Sequence, residues 1–332
     1  MRFGIFSVVD HYPVELNRSC SDFYKELLDQ SQLADELGFY SFWIAEHHFH
    51  EYGIIPRPAL FLAAAASRTK RIRLGSAVAV LPLDDPIRTA EDYAMLDLIS
   101  NGRLEFGVGS GYLQHEFDGF SIPIEERRER FDEALSIIRM SWQGERFSFK
   151  GSHFEIANLC LNVLPVQKPE PPIFIAVLRN EAAVFVARQK LGMMMIPYAS
   201  TEKLEELEIT CQCYKTELMN ICTDDSFEAR IQFGLHVFCA DSTEEARAIA
   251  KPYIERYTRS RLYAKKRSFE ELIEKDLIAV GDPEEIIRVA SRYKKAGMTD
   301  FLLLLNFGGM PHQLVENSMR RIAGFVLPAF RQ

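Results

Sequence analysis

Phe301-Leu302-Leu303-Leu304-Leu305 is the stretch that decides the fold. Five large apolar residues in a row carry no apolar/polar alternation and no helical spacing. That is the pattern of a strand buried on both faces, which parallel sheets produce because crossover helices cover both sides. Working outward from it, strand-like runs recur at Phe3–Val9, Phe39–Ala45, Ile72–Leu81, Leu104–Gly109, Ile173–Val177, Met193–Ile196 and Arg230–Ala240. Helix-like segments separate them. Phe23, Leu27, Ser31 and Ala34 fall at helical spacing before a stop at Gly38. Pro58–Ser67, Glu91–Ser100, Glu125–Trp142, Glu181–Leu191, Thr201–Asn220, Ser242–Tyr263, Phe269–Asp276, Pro283–Ala296 and Pro311–Val326 follow. Eight strands, each followed by helix, predict an α/β chain closed into a (β/α)8 barrel.

Such a barrel needs about 250 residues, and the chain has 332. The surplus is assigned to two places within one domain spanning 1–332. Residues 144–172 read as a hairpin, Arg146–Phe149 and His153–Ile156 around Lys150-Gly151-Ser152, followed by a proline-rich loop. Residues 257–280 read as a lid over the productive face. Arg256, Arg259, Arg261, Lys265, Lys266 and Arg267 crowd in or beside that stretch among several glutamates. Most of these charges read as a solvated, salt-laced helical surface, and the functional alternative is a basic rim for an anionic or carrier-bound substrate.

Composition excludes several classes. With 47 acidic against 39 basic residues and a net charge of −8, neutralising nucleic-acid phosphates is not the chain's main task. No run approaches the roughly 20 apolar residues that span a bilayer. No cleavable leader precedes the first strand. The six cysteines are irregularly spaced and read as reduced thiols, so a cytoplasmic location is expected.

Chemistry on a barrel belongs at the C-terminal ends of the strands. The densest polar feature there is Glu46-His47-His48-Phe49-His50-Glu51, directly after the second strand, with three of the eight histidines. A metal site would need further His and Asp ligands after later strands, which His115, His153, His236 and His312 do not supply. No metal is expected. Gly107-Val108-Gly109-Ser110-Gly111-Tyr112 ends the fourth strand; backbone in such a loop can approach a phosphate or a flat ring closely. Val177-Leu178-Arg179-Asn180-Glu181 joins the fifth strand to a helix start, where an arginine beside free N–H groups suits an anion. Cys211-Gln212-Cys213 falls within a helix, where the two thiols cannot share a face, and is read as structural.

In combination, ordered motifs along the whole chain resemble the bacterial luciferase-like flavin-dependent monooxygenases. The most specific is Phe42-Trp43-Ile44-Ala45-Glu46-His47-His48-Phe49-His50-Glu51-Tyr52-Gly53. Gly75–Pro82, Asp85–Asp92, Leu96-Asp97 through Ser100–Arg103, Phe307–His312 and Val326–Phe330 accompany it. The resemblance implies a barrel that binds FMN at its C-terminal face. A separate reductase would supply reduced FMN, and oxygen would add to it to give a peroxyflavin that oxygenates a small organic, possibly carrier-bound, substrate. It further implies that His47 is catalytic, exchanging a proton near neutral pH. Glu46 would shape the flavin pocket, and Ala77-Val78 would form a non-proline cis peptide beside the ring. Ser110, Tyr112, Arg179 and Asn180 would complete the cofactor site. Two positions depart from the family. Gly109 stands where the family has a reactive cysteine, and Ser110 where it has a phosphate-binding arginine, so Arg179 is expected to supply the missing charge. Two alternatives remain at this point: a deazaflavin-dependent oxidoreductase on the same barrel, and a non-catalytic flavin-binding subunit. A homodimer is expected, through the Pro58–Ser67 and Glu91–Leu98 helices.

Overall fold

All eight expected strands form. The computed structural model describes residues 1–177, 180–222, 228–261 and 265–331. The barrel strands are β1 (Arg2–Ser7), β2 (Ser41–Ile44), β3 (Arg73–Ser76), β4 (Leu104–Gly109), β5 (Ile173–Ala176), β6 (Gly192–Met195), β7 (Ile231–Cys239) and β8 (Asp300–Asn306). Each pairs in parallel with the next, and Phe3 opposite Phe301 closes β1 onto β8. The apolar run Phe301–Leu305 is buried throughout, between β1 on one edge and β7 on the other. Doubly buried strands favour large apolar residues at every position, which is why this strand lacks alternation.

Inside the barrel the buried Trp43 of β2 donates its indole N–H to Ser41 Oγ at 2.8 Å. Its ring lies directly over Gly75 of β3, where any Cβ would overlap it. The N-terminal mouth is closed by ions. Glu105 accepts from Arg73 at 2.9 Å and Arg230 at 2.6 Å, and Asp300 pairs with Arg230 and with Arg2. Ion pairs at this end of a barrel serve stability; the other end carries the reaction.

The helix boundaries move where caps decide them. The helix expected from Glu91 begins at Pro86, because the Asp85 carboxylate accepts from the Ile87 and Arg88 amides. The helix expected to reach Tyr263 ends at Arg259. The last helix becomes a π turn at Ile322–Val326. Phe147–Lys150 and Glu155–Leu159 form the expected antiparallel hairpin. Short helices that the periodicity did not reveal occur at Gln114–Gly119 and Pro197–Ser200. Among the described residues, no helix is long and apolar enough to cross a membrane.

Candidate active site

A cavity of about 1000 Å³, counted out to its mouth, opens at the C-terminal ends of the strands. Glu46, His47, Ala77, Val78, Ser110 and Tyr112 all line it. Thus loops after β2, β3 and β4, far apart in sequence, contribute to one wall. Asn180 begins the helix Asn180–Arg188, which follows β5 in the chain. Leu178, Arg179 and the Asn180 side chain lie outside the described residues, as do 262–264 of the lid stretch.

The loop after β2 is folded back on the barrel. Ile54 N–H donates to Val9 O at 3.1 Å, His47 N–H to Ile55 O at 3.2 Å, and His50 bridges Gly53. This fixes His47 and His48 pointing different ways. His48 Nε2 lies 3.1 Å from Glu46 Oε1, while the Val80 amide donates to Glu46 Oε2 at 3.3 Å. Burial raises the Glu46 pKa; the hydrogen bond and charge of His48 oppose it.

His47 faces a residue that sequence reasoning missed. Its Nδ1 lies 3.1 Å from Oε1 of Glu116, and the same oxygen accepts the His48 amide at 3.0 Å. Glu116 is 1% exposed. A carboxylate in contact with Nδ1 selects the Nδ1–H tautomer and leaves Nε2 as the proton-accepting nitrogen. Burial lowers the His47 pKa below its usual value, with the Glu116 hydrogen bond and charge acting against that. The ring is therefore a neutral base near pH 7. Tyr52 packs edge-on against it, with ring centroids 4.5 Å apart, and the Tyr52 hydroxyl is 3.1 Å from that of Tyr112.

The stretch expected as a lid supplies Tyr257 and Arg261 to the cavity, as anticipated, while Tyr198 was not foreseen. Met194 and Ile196 line it from the end of β6. The Arg261 guanidinium is stacked 3.5 Å from the Tyr52 ring centre and 3.7 Å from that of Tyr257. Behind them His236 of β7 is enclosed by aromatic rings, and burial, with Arg261 nearby, pushes its pKa down to about 3.

A flavin fits this donor set. Apolar Ala77, Val78 and Val177 offer surface for a planar ring, and a few polar groups stand at the edges, as in small-molecule sites generally. The Ala77-Val78 peptide is cis, as the resemblance implied. Gly109 is a glycine because Val78 leaves no room: a Cβ there would lie 2.6 Å from Val78 Cγ2.

A closed (β/α)8 barrel with a buried histidine–carboxylate pair in a mostly apolar cavity at its C-terminal face has the architecture of a barrel enzyme. The profile of the Luciferase-like monooxygenase family matches residues 1–300, and the chain belongs to that family. The crystal structure of the monooxygenase RslO1 from Streptomyces bottropensis superposes with a TM-score of 0.92 at 30% identity, over 100% of both chains. The uncharacterized protein y4wF of Sinorhizobium fredii is 31% identical over 94% of this chain and 92% of its own length. The oxygenase component of the flavin-dependent trigonelline monooxygenase of Acinetobacter baylyi is 25% identical over 100% of this chain and 96% of its own. The chain is an FMN-dependent monooxygenase, and FMN binding is typical of its family.

Proposed function

We propose that this chain is the oxygenating component of a two-component system in which a separate flavin reductase supplies reduced FMN. When bound, the reduced flavin supplies the electrons that activate O2. The His47–Glu116 pair carries the reading: a neutral imidazole with its base nitrogen free to act, held in the wall of a mostly apolar cavity. His47 is the catalytic residue, taking and returning a proton at Nε2. Ala77 and Val78 support the flavin ring, and Glu46 with Tyr112 shapes the pocket around it. Ser110, Asn180 and Arg179 hold the phosphate, using the free N–H groups of the nine-residue helix that Asn180 begins. The apolar walls exclude water, which protects a reactive oxygen species from wasteful decay.

The proposal extends to the whole chain as one barrel domain, with 144–172 as a peripheral hairpin and 257–280 as the lid. It includes a cytoplasmic location, which six unpaired cysteines suit. It also includes a homodimer. Leu60 on the Pro58–Arg68 helix is 75% exposed, and Met95, Leu98 and Ile99 on the adjoining Pro86–Ile99 helix are about half exposed, forming an apolar face that a second copy would cover.

The test mixes the protein with photoreduced FMN, O2 and a panel of aldehydes, cyclic ketones and aromatic carboxylates, with products read by mass spectrometry. His47→Asn should bind FMN as the wild type does and lose about 100-fold or more of oxygenation. Hydride exchange with a deazaflavin and no oxygen incorporation would favour the oxidoreductase alternative. Tight FMN binding with no turnover of any kind would favour the non-catalytic subunit.

A further inference from the structure

Arg261 differs from its neighbours Arg256, Lys265 and Arg267. Arg256 donates to Gly308 O at 2.7 Å, Lys265 pairs with Glu202 at 3.0 Å, and Arg267 donates to Thr201 O at 2.9 Å. Arg261 is 3% exposed, and its Nε, Nη1 and Nη2 are all shielded from water with no hydrogen-bond acceptor among the described residues. Leaving a buried guanidinium without acceptors is costly, so such an arrangement calls for a ligand. Both faces of the guanidinium plane are occupied by aromatic rings, Tyr52 on one and Tyr257 on the other. What remains for recognition is the in-plane fork of N–H donors, whose geometry matches a planar pair of oxygens.

The position within the cavity assigns those oxygens to the substrate. Tyr52 touches the Arg261 guanidinium and the His47 ring at once, so Arg261 stands on the histidine side of the site. Ser110 and the helix start at Asn180 belong to the loops after β4 and β5, the side proposed above for the flavin phosphate. Asp10, whose charge acts on Arg261, makes no hydrogen bond to it: its Oδ2 accepts the Gly308 amide at 2.7 Å, and its Oδ1 has no hydrogen-bond partner among the described residues. We infer that Arg261 anchors a carboxylate of the substrate, so that this enzyme oxygenates an organic acid whose reacting carbon is presented towards His47. The inference rests on the proposal that flavin and substrate share this cavity.

The experiment measures binding of benzoate, 2-naphthoate and decanoate, each beside its primary amide, to the full-length protein loaded with FMN, by calorimetry. FMN affinity and melting temperature are measured in parallel. Wild type should bind at least one carboxylate about tenfold or more tightly than its amide. Arg261→Met should abolish that preference while amide and FMN affinities stay within about twofold, and Arg261→Lys should retain part of it. If Arg261→Met does not fold, the wild-type preference and the Arg261→Lys variant decide. Equal binding of acids and amides by wild type, no binding of any acid, or a preference that survives Arg261→Met overturns the inference. So does a variant that loses FMN rather than the acid, since Arg261 would then serve the flavin. A protein that binds no FMN at all overturns the functional reading itself, and the two failures are thereby distinguished.

Discussion

Glu116→Gln separates charge from hydrogen bonding at His47, the proposed catalytic histidine. One oxygen, Glu116 Oε1, accepts from both His47 Nδ1 and the His48 amide. A glutamine oxygen at the same point can keep both bonds and the Nδ1–H tautomer while removing the negative charge. Burial is the largest influence on His47 and lowers its pKa; the Glu116 hydrogen bond and charge oppose it. A hydrogen bond to a charged group is worth about 1.5–3 kcal/mol, roughly twice a neutral one, so the charge contributes about 1–1.5 kcal/mol. That corresponds to about one pKa unit, downward. The assay is an NMR titration of the His47 Cε1 proton, which needs no substrate. The wild-type midpoint should fall below 6.5 and the variant midpoint about one unit lower still. A variant midpoint equal to or above the wild type's refutes the assignment of Glu116 as the group that sustains His47 basicity.

The same shift has a stability consequence of known sign. The unfolded His47 takes up a proton near pH 6.5, and the native ring does so only at lower pH. In that window the unfolded state holds more protons, so this contribution is present in full above about pH 6.5 and is lost as pH falls through the native value. Glu116→Gln widens the window downward, and its acid loss should exceed the wild type's by about 1–1.5 kcal/mol once both native values are passed.

Three further outcomes follow from contacts in the same region. Gly109→Ala should destabilise by about 1–3 kcal/mol in urea unfolding, because its Cβ meets Val78 Cγ2, and the cost should shrink in a Val78→Ala background. Leu98→Glu, in the exposed apolar face, should weaken self-association about tenfold or more in sedimentation velocity while leaving the monomer's melting temperature nearly unchanged. Glu46 has a native pKa above 4.5, so the native carboxyl holds its proton longer than the unfolded one, and its contribution to stability is lost as pH rises through the native value. The melting temperature of Glu46→Gln relative to wild type should therefore climb from pH 4.5 upward and then level off; a fall over that range would show that His48 outweighs burial.

The strands were legible because each is buried on both faces, which leaves a run of apolar residues visible without any partner. The loop after β2 was legible because its function concentrates titratable side chains within six positions, Glu46 to Glu51. Glu116 was not. It sits on a six-residue helix too short to show a period, and it matters only because it meets His47, which the chain brings there from another strand end. Arg261 was hidden differently. Among neighbouring basic residues it looks like part of a solvated, salt-laced surface, and for Lys265 that reading is right, whereas the Arg267 side chain is itself buried. Nothing local says that Tyr52 and Tyr257 will cover its two faces.

The two ends of the barrel make the same side chain mean different things. At the N-terminal mouth, Arg2, Arg73 and Arg230 are held by Asp300 and Glu105, each guanidinium answered by a carboxylate of the chain. Those ion pairs hold the strand starts together, and removing one partner would leave a buried charge at a cost of about 3–5 kcal/mol. At the C-terminal mouth, Arg261 is as deeply buried, yet among the described residues it has aromatic rings and no acceptor. A fold that gives three arginines hydrogen-bonded carboxylates at one end, and at the other leaves the donors of a fourth without an acceptor beside the proposed catalytic histidine, with only the charge of Asp10 acting on it, keeps those donors for something the chain does not contain.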